Sequence, residues 1–138
     1  MSGAAEGKSQ SQSEIVTAGL LVIGDEILSG RTKDKNIGFI AEYLTAIGID
    51  LKEVRVVPDE EPEIVTAVNA LRPRYTYVFT TGGIGPTHDD ITADCVAKAL
   101  GVPLEYHPKA VEIMEARIKL NGGVMNEARM RKIGRAHV

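Results

Sequence analysis

The stretch Ile15 to Ile23, IVTAGLLVI, constrains this chain more than any other. It is short, rich in β-branched residues and almost continuously apolar, and it stops at Gly24. A strand with one wet face alternates between apolar and polar residues. One that is apolar at nearly every position is buried on both faces, the pattern of parallel sheets. Such a strand needs helices above and below it, and the sequence supplies their stripes. Ile37, Ile40, Ala41, Leu44 and Ile47 recur at helical spacing between Asn36 and Ile47, with Gly48 as a natural residue past the helix end. Leu51 to Val57 (LKEVRVV) reads as a second strand, ended by Pro58 and followed by Asp59. Pro62 marks the start of another helix, whose stripe is Ile64, Val65, Val68 and Leu71. Tyr75 to Thr81 (YTYVFTT) has strong β-propensity and is the third strand. A helix from about Thr92 to Leu100 closes at Gly101. A short strand over Val102 to Glu105 follows, then a helix from Pro108 with Val111, Met114 and Ile118 on one face. The alternation predicts an α/β fold of three layers, α/β/α, around a mostly parallel sheet.

At 138 residues the chain is expected to hold one domain with a real core. A net charge of -3, aromatics at 4% and no tryptophan give neither the field nor the stacking surface for a nucleic-acid partner. No apolar run approaches the roughly 20 residues needed to span a bilayer, so no membrane partner is expected. Residues 1–14 have little to bury and read as a disordered tail, with no apolar segment of a secretory signal. The lone Cys95 cannot form an internal disulfide and fits a cytoplasmic setting. Its spacing in the helix places it in the core, as a packing residue rather than a nucleophile.

Ligands of open parallel sheets bind outside the carboxyl ends of the strands. After the first strand comes Gly24-Asp25-Glu26, after the second Pro58-Asp59-Glu60-Glu61, and after the third Gly82-Gly83-Ile84-Gly85-Pro86-Thr87-His88-Asp89-Asp90. Topology brings all three to one edge, and all three carry carboxylates. In the third loop, Gly82, Gly83 and Gly85 let backbone N–H groups approach a phosphate without a Cβ in the way. Pro86 stiffens the turn, Thr80, Thr81 and Thr87 add hydroxyls, and the following helix offers an N-terminus that favours anions. The plainer reading is a tight strand-to-helix turn that needs glycine for its dihedrals. No Gly-Lys-Ser/Thr follows, and the spacing is not that of a dinucleotide fingerprint.

Asp89 and Asp90 would repel a phosphate unless a divalent cation bridged them to it. Otherwise one of them caps the helix and the other faces the ligand. Asp59 has the same two readings. Asp25 and Glu26 follow a buried strand directly and point to function. Ser29, Gly30, Thr32, Asp34 and Asn36 form a polar loop that either grips the ligand or is plain surface. Arg31, Lys33 and Lys35 are the nearest cations and read as solvated charge. His88 reads as a surface residue.

Taken together, Gly24-Asp25-Glu26-Ile27-Leu28-Ser29-Gly30 with Asp34 and Asn36, Pro58-Asp59, and Thr80-Thr81-Gly82-Gly83-Ile84-Gly85-Pro86-Thr87-His88-Asp89-Asp90-Ile91-Thr92 resemble the molybdopterin-binding (MoCF biosynthesis) domain. The pattern is most similar to the N-terminal domain of competence/damage-inducible (CinA-type) proteins, and is related to a domain fused to some eukaryotic FAD synthases. It extends over about Val16 to Arg131. The resemblance implies a small-molecule phosphate ligand at the glycine loop, molybdopterin or a nucleotide, gripped by Gly24, Asp25, Glu26, Ser29, Gly30, Asn36, Thr81, Gly82, Gly83, Gly85, Pro86 and Thr87. It carries catalytic roles onto Asp59 and Asp90, and a Mg²⁺, Mn²⁺ or Co²⁺ ion onto Asp25, Asp59, Asp89 and Asp90. Three further readings accompany ligand binding. They are a metal-dependent pyrophosphatase for ADP-ribose or FAD, molybdenum-cofactor biosynthesis by adenylyl transfer or metal insertion, and a non-catalytic assembly module. Homo-oligomers are expected on the same ground.

Family domains usually continue past the last helix into a further segment that lines the site. Here Ile133-Gly134-Arg135-Ala136-His137-Val138 can be encoded in frame by the opening bases of a common sequencing adapter. The expectation is therefore a domain over 15–132 that lacks part of its C-terminus, and a non-native tail over 133–138. Sequencing the source gene past codon 132 tests this, and a genuine stop after Val138 would sink it.

Overall fold

The computed structural model describes residues 14–131 and 134–136. Nearly all of the expected N-terminal tail, and Lys132, Ile133, His137 and Val138, lie outside these residues. The elements run β1 (Val16–Ile23), α1 (Asp25–Leu28), α2 (Asn36–Ala46), β2 (Ile49–Val57), α3 (Glu61–Leu71), β3 (Tyr77–Thr81), α4 (Thr92–Leu100), β4 (Leu104–Tyr106), α5 (Pro108–Leu120), α6 (Glu127–Arg131) and β5 (Gly134–Ala136).

The main sheet has the order β2-β1-β3, all parallel. The central strand is the one read as buried on both faces, and Ala18, Leu20, Leu21, Val22 and Ile23 are at most 2% exposed. Its alternate residues serve different layers. Leu21 and Ile23 join Val57 of β2 in a core closed by Ile64, Ala67, Val68 and Leu71 of α3 and Cys95 and Ala99 of α4. Leu20 and Val22 point to the opposite face, where α2 packs along β2 and buries Leu44. Helices α3 and α4 pack on each other, and Lys98 of α4 pairs with Glu61 of α3. This is the three-layer α/β/α arrangement of a mostly parallel sheet. Among the described residues, no helix is long and apolar enough to cross a membrane.

On the α2 side, several large apolar side chains are exposed among the described residues. Phe39 and Tyr43 stack with ring centroids 6.4 Å apart and remain exposed, as do Tyr77 and Phe79 on β3. Phe39, Tyr43 and Phe79 border an apolar groove of about 280 Å³.

Three boundaries differ from the sequence reading. Strand β3 begins at Tyr77, because Tyr75 turns its ring beneath Gly19 and its hydroxyl donates to Glu53 at 2.6 Å. That hydrogen bond, with Arg55 second, holds the Glu53 carboxyl below its usual range. Strand β2 begins earlier, at Ile49, immediately after Gly48 turns the chain at φ +83°. The short strand is displaced to Leu104–Tyr106, and it lies outside the parallel sheet. It pairs antiparallel with β5, whose residues fall in the segment expected to be a tail.

Leu21→Ala removes a fully buried side chain from the α3/α4 core and is expected to cost about 2–5 kcal/mol, read by urea unfolding. A loss below about 1 kcal/mol would show that this face is not the main core.

Candidate functional site

The sheet order fixes where a site can lie. The chain leaves β1 for β2 on one side, then crosses back over β1 to reach β3 on the other. The loops after β1 and β3 therefore diverge at the carboxyl edge and leave a crevice between them.

The glycine loop is seated by close backbone approach. Gly82 has φ +89°, and a methyl placed on it would overlap the carbonyl oxygen of Ile23 at the end of β1. Gly83 has φ +63°, and a methyl there would overlap Thr92 Oγ1. Both glycines are thus required by conformation and by space. Thr92, at the first turn of α4, is 2% exposed. Its hydroxyl donates to the Gly82 carbonyl at 2.8 Å, and its backbone N–H donates to the Gly83 carbonyl at 3.1 Å.

The other two loops are locked to each other. Gly24 N–H donates to the Val57 carbonyl at 3.0 Å. Asp25 N–H donates to Asp59 Oδ2, and Asp59 N–H donates to Asp25 Oδ1, both at 3.1 Å. Each aspartate so spends one carboxylate oxygen on the other's backbone. Asp59 Oδ1 faces the glycine loop, 3.6 Å from where a Gly83 methyl would sit.

Asp90 closes the third loop on itself. Its Oδ2 accepts from Thr87 N–H at 2.8 Å and from Thr87 Oγ1 at 2.7 Å. Gly85 lies against it, where a methyl would come 2.6 Å from the same oxygen. Asp90 therefore closes a turn and does not cap α4, whose N-cap is Ile91. Asp89 pairs with His88 at 3.1 Å, and both are exposed. His88 is thus the surface residue that the sequence implied. Cys95 is buried as core, and desolvation, with Glu61 and Asp94 adding to it, pushes its thiol up to about 11. That is the opposite of nucleophile activation.

The crevice at this edge has a volume of about 280 Å³ and a polar lining. Of the expected site residues, Asp25, Glu26, Asp59, Gly83, Asp89 and Asp90 line it. Gly24, Thr81, Gly82, Gly85, Pro86 and Thr87 adjoin these residues in the chain but are not among the lining residues. Ser29 and Gly30 turn the chain after α1, with Gly30 at φ +76° in open space. Asn36 starts α2, where Asp34 accepts from Ile37 N–H at 2.8 Å. Ser29, Gly30 and Asn36 are not among the lining residues.

Two residues were missed. Arg31 lines the crevice with its Nε donating to Ser29 Oγ at 3.1 Å, although the sequence reading took it as solvated charge. Its signal was its place in the polar loop after the Asp25-Glu26 pair. Thr92 was read as a helix start and as the end of the motif that carries the resemblance, with no role of its own. Among the described residues, no three His, Cys, Asp or Glu side chains are grouped closely enough to hold a metal ion. The expected four-aspartate set is therefore not an assembled cage, because Asp25, Asp59 and Asp90 each turn an oxygen to a backbone N–H.

A parallel α/β domain with a carboxylate-lined crevice beside a glycine turn defines a class of ligand-binding domain, and comparison with known proteins gives it a family. The model of the probable molybdopterin binding domain (MoCF biosynthesis) matches residues 19–137, and the chain belongs to that family. It is of the CinA type. CinA from Thermoplasma acidophilum, a protein of unknown function, superposes with a TM-score of 0.74 at 32% identity, covering 87% of this chain and 70% of that one. A CinA-like protein of Anaeromyxobacter dehalogenans is 35% identical over 75% of this chain and 25% of its own length. The probable FAD synthase of Caenorhabditis briggsae is 49% identical over 65% of this chain and 17% of its own. The chain spans less than half the length of these two curated relatives.

Gly82→Ala is expected to cost about 2–5 kcal/mol, from left-handed strain plus overlap with backbone, whereas Gly30→Ala should cost about 1–2 kcal/mol from strain alone. Urea unfolding of both variants checks this, and equal losses would refute the close approach of the two strand ends.

Proposed function

We propose that this domain binds a phosphate-bearing pterin or nucleotide in the crevice beside Gly83. The observation that carries the reading is the convergence of three strand-end loops on one polar crevice, with a glycine backbone as one wall. A glycine at φ +63° presents bare main chain there, the surface that suits close approach of a phosphate. The family description supplies molybdopterin as the pterin candidate. The relative named as a probable FAD synthase favours a nucleotide.

Charge sets a condition on either ligand. Among the described residues, the lining carries the carboxylates of Asp25, Glu26, Asp59, Asp89 and Asp90 and the guanidinium of Arg31. A phosphate entering alone would meet net repulsion. Mg²⁺ commonly uses only one or two protein carboxylates and completes its shell with water and ligand phosphates. The second oxygens of Asp25 and Asp59 fit that smaller role, in which the cation would neutralise phosphate charge. In this reading Asp59 contacts the ligand assembly, and Asp90 acts by holding the loop.

A second reading, hydrolysis of a nucleotide pyrophosphate, uses the same crevice and is separated by turnover. The test is thermal unfolding of the 138-residue chain with ADP-ribose, FAD or a pterin phosphate, with and without Mg²⁺ or Mn²⁺. At a hundredfold excess over Kd, stabilisation of about 2.7 kcal/mol is expected for the true ligand class, dependent on the metal. Asp59→Asn should weaken that response about tenfold or more in affinity. Release of AMP from ADP-ribose in the same samples would assign the pyrophosphatase activity. Absence of any ligand response, with the chain folded, would overturn the binding reading.

A further inference from the structure

The orientation of two peptide planes in the glycine loop has a cause that lies outside the crevice. In a trans peptide, C=O and N–H point in opposite directions. The carbonyls of Gly82 and Gly83 both turn toward Thr92, one to its hydroxyl and one to its backbone N–H. The N–H groups in the same two planes belong to Gly83 and Ile84, and they therefore point away from Thr92. Among the described residues, neither donates to a protein acceptor. Gly83 lines the crevice, and the Ile84 side chain is 70% exposed.

We infer that Thr92 is the positioning residue of the site: it fixes the glycine loop so that the Gly83 and Ile84 amides stand together as paired donors to the ligand's phosphate. The donor assignment rests on the phosphate reading above; the orienting role does not. Three features of Thr92 fit this task. Its side chain is buried, so its hydroxyl has few alternative partners. It reaches two consecutive carbonyls from one residue. The space where Gly83 would carry a Cβ is taken up by its Oγ1, so the loop and the threonine fit only in this arrangement. Two neighbouring amides stabilise an anion without adding a mobile cation, and Thr92 fixes the orientation of both peptide planes.

The test compares the wild-type chain with Thr92→Ser, which keeps the hydroxyl, and Thr92→Val, which keeps the shape and removes it. Amide NMR without ligand reads orientation. The Gly83 and Ile84 resonances should shift in Thr92→Val and hold in Thr92→Ser; unmoved resonances in Thr92→Val would overturn the orienting role. Titration with ADP-ribose in the presence of Mg²⁺ reads the donor role. Thr92→Val should bind about tenfold to a hundredfold more weakly, and Thr92→Ser within about threefold of wild type. Equal losses in both variants, or wild-type affinity in Thr92→Val, would overturn it. Should Thr92→Val fail to fold, Thr92→Ala removes the same hydroxyl with less bulk and is read in the same way. A wild-type chain that ignores the titrant, while its amides still move in Thr92→Val, would overturn the phosphate reading and support the orienting role.

Discussion

The site depends on how closely β1 and β3 end. The Gly82 backbone passes so near the last carbonyl of β1 that no side chain fits between them. Everything at the carboxyl edge follows from that approach. Gly82 has φ +89° there, so both its conformation and the space around it admit only glycine. Thr92 then meets the loop from beneath and takes both of its carbonyls. On the far side of β1, the Gly24 N–H holds the last carbonyl of β2, and the Asp25–Asp59 exchange joins the two loops. The result is three loops joined by hydrogen bonds that combine main-chain groups with the Asp25 and Asp59 carboxylates and the Thr92 hydroxyl.

That scaffold was legible in the sequence to the extent that it depends on residue pattern. The doubly buried β1, the stripes of α2, α3 and α4, and the gathering of three carboxylate-bearing loops follow from periodicity and from right-handed parallel topology. What pattern cannot carry is the choice of partner. Tyr75 has the β-propensity of its neighbours, yet it leaves the strand because Glu53 offers its hydroxyl an acceptor. The short strand at Leu104–Tyr106 was visible, but its antiparallel partner lies some thirty residues on. Arg31 and Thr92 were underrated for the same reason. A surface-type arginine and a threonine at a helix start look ordinary until the chain that faces them is in place.

The aspartates gain most from the structure. Sequence alone offers two uses for an aspartate beside a helix, capping and ligation, and the molecule shows a third. Asp25 and Asp59 stitch one loop to another, and Asp90 stitches a loop to itself through Thr87. A carboxylate accepting a backbone N–H makes a charge-assisted hydrogen bond, stronger than its neutral counterpart. Acidic residues can thus be required at this edge for the structure of the loops alone. An aspartate-to-asparagine change at these positions keeps one acceptor oxygen and removes the charge. It therefore separates the stitching role from the electrostatic one more cleanly than alanine would.

The same hydrogen bonds resolve an apparent conflict in the crevice. Its net negative lining argues against a phosphate, while its glycine turn argues for one. Distance decides between them. Repulsion between like charges is softened by solvent and salt, so it lowers the affinity for a bare anion without deciding its position, whereas an amide donor acts within hydrogen-bond range and with fixed direction. In the proposed reading, two amides at the Gly83 turn would position an oxyanion locally, and the surrounding carboxylates would disfavour an anion that arrives without a cation. On the proposed reading, an acidic rim around a backbone anion site would favour a metal-complexed phosphate over a free one, which the amides alone would also accept.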